Sequence, residues 1–256
     1  MKHLTFESTT ALTFDSSVVN HHFVLRYLPP SFPGQQILTS SLTVSPYVHT
    51  AIAQDGFGNM QASGCIPFAH EEFIYTCKGD AIICEQARQV ERLHPIFKYN
   101  SPLATISSDM KVFAETMPTE GTVLERSMAL CQAVYDKMVY TTGSTTNETT
   151  AKDAFAQGKG VCQDLAHVFI AVSRYLGIPA RYCNGLPMGT GPSHAWVEVY
   201  VDGIWTGIDP THNRLVGEDY IRFCVGRDFG DCALERGILF GNAQQSQVIT
   251  TCVAEQ

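Results

Sequence analysis

The chain has 256 residues, enough for one large domain or two smaller domains that each bury a hydrophobic core. Hydrophobic residues make up 45% of the chain and charged residues 16%, which excludes a wholly disordered protein. The formal net charge is −8 and lysine and arginine form no cluster, so the electrostatic footprint of a nucleic-acid or anionic-membrane binder is missing. We therefore expect neither nucleic acid nor a membrane as a partner.

Cysteine is unusually frequent, and an odd number of cysteines cannot all pair within one chain. No C-x-x-C pair occurs, which argues against a zinc ribbon or finger. The N-terminal stretch lacks the apolar segment of a secretory signal, and no apolar run is long enough to cross a bilayer. These features predict a cytoplasmic protein with reduced thiols, most of them small buried residues. The nine cysteines are at positions 65, 77, 84, 131, 162, 183, 224, 232 and 252.

Strand-like patterns dominate the first part of the chain. From residue 20 to about 88, short runs alternate apolar and polar residues and are separated by turn signals such as Asp55-Gly56. This periodicity predicts an antiparallel β-sandwich as a first domain over residues 1–90. Residues 91–120 contain three prolines and mixed polarity, which predicts a linker packed on both domains with one short helix near residues 109–115.

Helical patterns begin in the second predicted domain, residues 121–256. Leu124, Met128 and Cys131 are spaced three or four apart, and Thr122-x-x-Glu125 has the form of a capping box. A shorter helix is predicted from residue 150 to 157, where Gly158 would end it. The chain is thus predicted to run from a β-rich first part through helices to a further pair of strands.

Cys162 differs from the other cysteines because it lies at the start of a predicted helix. Glycines at 158 and 160 precede it, and an apolar stripe from Leu165 to Leu176 follows it. Unpaired backbone N–H groups and the positive end of the helix dipole stabilise an anion there, either a thiolate or the oxyanion formed when a carbonyl is attacked. The glycines let a substrate approach the backbone closely. A purely structural cysteine is the alternative interpretation.

Two strand-like runs, 193–201 and 204–209, join through Asp202-Gly203, the strongest short signal of a β-hairpin. A two-residue loop would pair Tyr200 with Trp205 and make Asp209 a diagonal neighbour of His194 on one face. A carboxylate that holds one imidazole nitrogen leaves the other free to take a proton from a thiol. A strand histidine and a turn aspartate without catalytic roles are the alternative, and a three-residue loop would move Asp209 to the other face.

Four segments of the second domain form a recognisable series. They are GVCQDLAH at 160–167, GIPARY at 177–182, SHAWVEV at 193–199 and IDPT at 208–211. In this order they resemble the bacterial transglutaminase-like cysteine protease family, within the transglutaminase-like superfamily. The resemblance covers much of residues 120–240, and the N-terminal region resembles the family's β domain more loosely. Residues 183–186 depart from the family pattern, and the short glycine-rich stretch 187–192 would line the cleft, which leaves the substrate class open.

The resemblance implies an α+β fold, in which the N-terminal antiparallel β-sandwich is followed by a papain-like core of helices packed on an antiparallel sheet. In that core Cys162 is the nucleophile, His194 the general base and then acid, and Asp209 its orienting group. The implied chemistry is thiol-dependent acyl transfer on amide bonds of a peptide or protein substrate, without a cofactor. We expect hydrolysis of a peptide or isopeptide bond. The alternatives are amine cross-linking of the transglutaminase type, a non-catalytic peptide-binding module, and a metal site that uses Cys162, His167 or His194. The oligomeric state is left open.

The remaining candidate residues surround the predicted nucleophile. The backbone N–H of Cys162 would be one oxyanion donor, and Tyr140, Asn147 or Gln157 would supply the second. We expect Asp164 to satisfy N–H groups at the start of its helix, and His167 to pack or hydrogen-bond nearby. The predicted oxyanion or substrate contacts are Tyr140, Gln157, Gly160 and Trp196.

Overall fold

The computed structural model describes residues 1–256. None of its helices combines the length and the hydropathy that a bilayer crossing requires. The strands are β1 (Lys2–Leu28), β2 (Gln35–Ser45), β3 (Ala51–Gln54), β4 (Met60–Ile66), β5 (His70–Ile83), β6 (Val139–Tyr140), β7 (Lys159–Gly160), β8 (Ala180–Pro187), β9 (Gly189–Thr190), β10 (His194–Val201), β11 (Ile204–Asp209), β12 (Arg214–Leu215), β13 (Tyr220–Gly226), β14 (Glu235–Phe240) and β15 (Gln245–Glu255). The helices are α1 (Ser108–Ala114), α2 (Val123–Lys137), α3 (Ala151–Gln157), α4 (Cys162–Tyr175) and α5 (Phe229–Cys232), with short 3₁₀ turns at Glu85–Ala87 and Pro95–Lys98.

The first sheet is built around one very long strand, β1. Its first half pairs with β5 and β15, and its second half pairs with β4 and β14, all antiparallel. The pairing with β5 shifts register between Thr13 and Val18, and Asn20 has a left-handed backbone with φ of 48°, so β1 bends there and enters a second layer. The ring of Phe23 in the second layer lies 4.7 Å from that of Phe73 in the first. The predicted antiparallel β-sandwich is confirmed, as two layers that share β1.

The C-terminal strands return to this first sheet. β14 pairs with the second half of β1, and β15 pairs with the first half, from Leu4 opposite Glu255 to Phe14 opposite Gln245. The sequence-based boundary assigned residues 121–256 to the second domain, whereas the last two strands of this range pair with the first sheet. Side-chain alternation indicates that a segment is a strand, but not which distant strand will accept its hydrogen bonds.

The second sheet has five strands in the order β12-β11-β10-β8-β13, and α4 packs against β10 and β8. Val197, Val199 and Ile208 alternate with polar residues and are fully buried in the same core as the apolar residues of α4. The other face carries polar and aromatic residues, among them His194 and Glu198. One face thus anchors the sheet and the other is available for chemistry.

The predicted helices are present, and their ends follow from local sequence. The hydroxyl of Thr122 accepts a hydrogen bond from the N–H of Glu125, whose side chain accepts one from the N–H of Thr122, so the capping box of α2 is confirmed. Gly158 ends α3 with φ of 66°, a conformation that favours glycine. The short helix predicted within the linker is α1.

The β10–β11 hairpin has the predicted two-residue loop. Asp202 and Gly203 both have positive φ, 49° and 89°, as a two-residue hairpin turn of type I′ requires. Tyr200 lies opposite Trp205 and Val197 opposite Ile208, which confirms the predicted register. The local turn therefore decides which face Asp209 occupies.

Two buried side-chain amides from the first domain attach it to the edge strand β13. The Asn59 side chain donates to the carbonyl of Val225 at 2.8 Å and accepts from its N–H at 2.7 Å. Gln35 makes the same pair of bonds with the backbone of Arg222, both at 2.8 Å. Each amide thus satisfies one N–H and one C=O on the open edge of the second sheet.

A buried ion group lies on the polar face of the second sheet. The Glu198 carboxylate accepts hydrogen bonds from Arg181 at 2.6 Å and from Arg222 at 2.9 Å, and all three residues are more than nine-tenths buried. Burial alone would raise the pKa of Glu198, but the two guanidinium groups lower it to about 2. Residues 32–35 and 88–91 of the first half of the chain cover this group.

The Asn59 contact predicts a specific loss of stability. Asn59→Ala leaves the Val225 N–H and C=O unpaired in a buried site, so we expect the free energy of unfolding in urea to fall by about 2 kcal/mol. Asn100→Ala removes an exposed amide and is the matched control, expected to change stability by less than about 0.5 kcal/mol. Equal stability of the two variants would contradict the role given to Asn59.

The Glu198 group predicts a pH dependence of stability. Because the folded pKa is lowered from 4.5, the ionised carboxylate stabilises the fold fully above about pH 4.5, and this contribution is lost as the pH falls towards 2. Glu198→Gln should be less stable than wild type at neutral pH by about 3 kcal/mol, because it leaves two buried cations without their carboxylate. Denaturation at a series of pH values should show that the variant loses less stability than wild type between pH 4.5 and 2. Parallel pH profiles would refute this assignment.

Candidate active site

A cleft of about 490 Å³ opens where β8 ends and β10 begins. The glycine-rich stretch between these strands forms one wall, and its strand β9 pairs with β15, Thr190 lying opposite Cys252. The first sheet therefore holds this wall in place. None of the lining residues is Asp, Glu, Lys or Arg; they are Tyr140, Cys162, Pro187, Thr190, Gly191, Pro192, Ser193, His194, Thr211 and His212.

Cys162 is the first residue of α4, where the backbone N–H groups have no acceptor within the helix. The Asp164 carboxylate accepts hydrogen bonds from the N–H of Val161 at 2.8 Å and the hydroxyl of Thr145 at 2.6 Å, which confirms its predicted contact with the helix start. A Cβ on Gly160 would lie 2.5 Å from the Cβ of Asp164, so the chain requires glycine there. These contacts fix the direction in which the chain enters α4 and presents Cys162 to the cleft.

His194 and Asp209 meet on one face of the hairpin. The His194 Nε2 lies 2.7 Å from Asp209 Oδ2, and both residues are at least nine-tenths buried. Burial alone would lower the pKa of His194, but its interactions with Asp209 and with Cys162 raise it to about 9. The imidazolium form of His194 is therefore favoured at neutral pH.

The Asp209 carboxylate is fully buried and accepts several hydrogen bonds. Its Oδ1 accepts from the N–H groups of Thr211 at 2.8 Å and His212 at 3.2 Å. Its Oδ2 accepts from His194, from His212 Nδ1 at 2.8 Å and from the Tyr220 hydroxyl at 2.7 Å. Burial alone would raise the pKa of Asp209, but these side-chain donors, His194 first, hold it well below its usual range. Because an ionised carboxylate only accepts, each ring nitrogen facing it carries a proton.

The structure places only some of the predicted oxyanion and substrate residues at the cleft. Tyr140 lines it, because the pairing of β6 with β7 sets Tyr140 beside Gly160. Gly160 itself is buried, and its role is to permit the close approach of Asp164. Gln157 is exposed in the last turn of α3, and it does not line the cleft.

Trp196 is also absent from the cleft. It shares the His194 face of β10, as strand alternation requires, but it is only 2% exposed and packs edge-on against Tyr220 at 5.2 Å. Residues 32–35 lie next to this part of the face. The Trp196 ring therefore packs on Tyr220 and is not available to contact a substrate in the cleft. The predicted substrate contact is corrected to a packing contact.

Two hydrogen-bond partners of Asp209 were not predicted from the sequence. His212 follows Asp209 by three residues. A carboxylate that accepts from the N–H groups two and three positions later forms an Asx-type turn, and this turn pattern could have placed His212 beside Asp209. Tyr220 comes from β13, on the far side of β8 from β10, and no local sequence pattern indicates that it contacts Asp209. Arg214 donates to the Tyr220 hydroxyl at 2.9 Å and supports it from the surface.

His194, Asp209 and His212 also form a group that could ligate a metal. Their donor atoms all lie within 4.8 Å of one another. His167, considered as a ligand on sequence grounds, is fully buried in α4, where its Nε2 accepts from the N–H of Phe229 at 3.1 Å. The predicted packing role of His167 is confirmed, and any metal set must be sought among the other three residues.

The remaining cysteines are separate from this chemistry. Cys77, Cys131, Cys183, Cys224 and Cys232 are buried, and all nine cysteines are free thiols. Burial and, after it, the charge of Asp209 raise the pKa of Cys131 to about 12, and its thiol donates to the Asp209 carbonyl oxygen at 3.6 Å. Among the nine, Cys162 alone lines the cleft with a histidine.

Comparison with known proteins gives matches in both halves of the chain. Residues 111–210 match the model of the transglutaminase-like superfamily core, and residues 4–81 match that of the bacterial transglutaminase-like N-terminal region. An uncharacterized protein of Mycobacterium leprae is 38% identical over 115 residues, 41% of each chain. An uncharacterized protein of Mycobacterium tuberculosis H37Rv is 33% identical over 135 residues, 46% of this chain and 43% of its own length. The alignments thus cover less than half the length of these relatives.

The overall fold also has a solved counterpart. A crystal structure from Cytophaga hutchinsonii, provisionally described as a cysteine protease, superposes with a TM-score of 0.76 at 24% identity and covers 99% of this chain and 90% of that one. At this identity the likeness establishes the fold. The family matches show that this chain contains a transglutaminase-like superfamily core at residues 111–210 and a bacterial transglutaminase-like N-terminal region at residues 4–81.

Proposed function

We propose that this chain is a thiol-dependent acyl-transfer enzyme that hydrolyses peptide or isopeptide bonds through a thioester on Cys162. The observation that carries the proposal is a single arrangement. Cys162 lies at a helix start in the same cleft as His194, whose far nitrogen is held by the buried Asp209 carboxylate. The match to the transglutaminase-like superfamily core supports thiol chemistry in general.

The arrangement assigns a role to each nitrogen of His194. Because Nε2 donates to Asp209, Nδ1 is the nitrogen left to exchange a proton with Cys162. A proton moved from the thiol to Nδ1 gives a thiolate and an imidazolium, and Asp209 stabilises that cation. The thiolate then attacks the amide carbonyl carbon.

The oxyanion formed by this attack needs donors beside Cys162. The N–H of Cys162 has no acceptor within its helix, so it can donate to an oxyanion formed beside the sulfur of the same residue. Tyr140 is the remaining candidate of the three considered for the second donor, because neither Asn147 nor Gln157 lines this cleft. Its hydroxyl would complete the oxyanion hole.

Collapse of the tetrahedral intermediate completes the cycle. The C–N bond breaks as His194 Nδ1 gives its proton to the leaving amine, and a thioester remains on Cys162. A water molecule then loses a proton to Nδ1 as it attacks the thioester. The C–S bond breaks, the carboxylic acid leaves, and Nδ1 returns the proton to the Cys162 sulfur.

Water is favoured over a lysine amine as the acceptor. The cleft is open to solvent, and no acidic side chain lines it to attract an ammonium group. The same lining supports a substrate that is uncharged near the scissile bond. Amine cross-linking is therefore the less supported alternative, and a non-catalytic module would have no need of the complete set of three residues.

Kinetics of an activated ester test the proposal without knowledge of the natural substrate. Wild type should release a stoichiometric burst of p-nitrophenolate from p-nitrophenyl acetate as Cys162 is acetylated, and should then turn over to acetate. Cys162→Ala and His194→Ala should abolish the burst, and Asp209→Asn should slow acylation by at least about 100-fold. Cys131→Ser, which changes a buried thiol, is the matched control and should keep the burst.

The acceptor is tested in the same assay by adding cadaverine. Water as the acceptor predicts acetate as the main product, and acetyl-cadaverine in excess would favour the cross-linking alternative. A burst that survives in Cys162→Ala would refute the thiol mechanism.

A further inference from the structure

One carboxylate oxygen of the site faces two imidazole rings. Asp209 Oδ2 lies 2.7 Å from His194 Nε2 and 2.8 Å from His212 Nδ1, and the two ring centroids are 5.1 Å apart. Catalysis by the triad uses the first ring and leaves the second without a role. Two imidazole nitrogens and one carboxylate oxygen form a donor set that binds divalent transition metals.

The spacing of these atoms is close to that of a metal site. Metal–ligand bonds of about 2.0–2.1 Å put neighbouring ligand atoms roughly 2.9–3.3 Å apart in octahedral or tetrahedral geometry. The observed N···O distances, 2.7 and 2.8 Å, are shorter than these by roughly 0.1–0.6 Å, so both rings must turn for a cation to enter. His212 is 54% exposed at its side chain and gives solvent ions access to the group.

The buried carboxylate supplies the negative charge that a cation needs, although the cation must displace the proton on His194 Nε2. Asp209 is fully buried, and its hydrogen bonds hold it ionised, so it supplies one negative charge. The Tyr220 hydroxyl donates to the same oxygen and keeps the carboxylate in place when the rings move. The Arg214 guanidinium lies behind the Tyr220 hydroxyl, to which it donates at 2.9 Å, and no lysine or arginine lines the cleft itself.

Cys162 lies outside this donor set. It interacts with His194 from the opposite side, because the Nε2 of that ring faces Asp209. A cation held by Nε2 therefore need not contact the sulfur. The group therefore shares His194, but not the sulfur, with the thiol and imidazole pair of the active site.

We propose that His194 Nε2, Asp209 Oδ2 and His212 Nδ1 form a binding site for Zn²⁺ or a similar divalent transition metal, which reversibly switches the enzyme off. The inference rests on the proposed function. Binding replaces the proton on each of the two ring nitrogens, and each proton passes to the other nitrogen of its ring or to solvent. With the metal on Nε2, His194 can give up its Nδ1 proton only by becoming an imidazolate, so it no longer protonates the leaving amine.

Metal binding is measured directly, by calorimetry with Zn²⁺ and by the visible absorption of Co²⁺, on the full chain. Wild type should bind one ion, and Zn²⁺ should suppress the p-nitrophenyl acetate burst until EDTA restores it. His212→Ala should weaken binding by at least about tenfold. His212→Asn, which keeps an N–H donor for Asp209 but offers only a poor ligand, should do the same, so that a folding defect is not the cause. Cys162→Ala should bind as tightly as wild type, and the exposed His49→Ala is the control.

Two outcomes overturn the inference. No stoichiometric Zn²⁺ binding would do so, as would binding that Cys162→Ala abolishes and His212→Ala leaves intact, since the thiol would then be the ligand. These outcomes are distinct from failure of the proposed function. Binding is measured in the Cys162→Ala chain, which needs no activity, whereas absence of the burst in metal-free wild type would refute acyl transfer alone.

Discussion

A single buried carboxylate organises the candidate active site of this protein. Asp209 has no exposed surface, so its charge would be costly without partners, and the structure surrounds it with donors from several elements. His194 comes from the start of β10, His212 from the turn after β11, and Tyr220 from β13. Because each donor must point at the same group, the carboxylate fixes the relative positions of three strands and the orientation of the imidazole. Loss of any one donor would leave this buried charge with fewer hydrogen bonds.

The first domain supports this arrangement from two directions. Asn59 and Gln35 bind the backbone of β13 a few residues beyond Tyr220, so the strand that carries the tyrosine is attached to the sandwich. On the other side, β15 pairs with β9 and holds the wall of the cleft that leads to His194. The C-terminal strand β15 therefore supports one wall of the cleft without lining it.

Local sequence predicted the parts of the site that local interactions determine. The register of the β10–β11 hairpin depends on Asp202-Gly203, and the position of Cys162 depends on the glycines before α4. Both could therefore be predicted from the local sequence. The return of β15 to the first sheet and the approach of Tyr220 to Asp209 join residues far apart in sequence, and alternation of side chains carries no information about such partners. Trp196 shows the same limit of local sequence information. The face of β10 that carries it was predicted correctly, but the distant segment that packs next to it was not. His212 is the exception, since a turn pattern beside Asp209 could have located it.

The central claim is that Cys162 is a nucleophile activated by His194, and alkylation with mass mapping tests it most directly. Iodoacetamide at limiting amounts and near-neutral pH should modify Cys162 first, ahead of the accessible Cys65, Cys84 and Cys252, while the five buried thiols stay unmodified in the folded protein. His194→Ala should reduce the rate at Cys162 to that of the other accessible thiols. Slow labelling of Cys162 at the same rate as Cys252, unchanged in His194→Ala, would contradict the account.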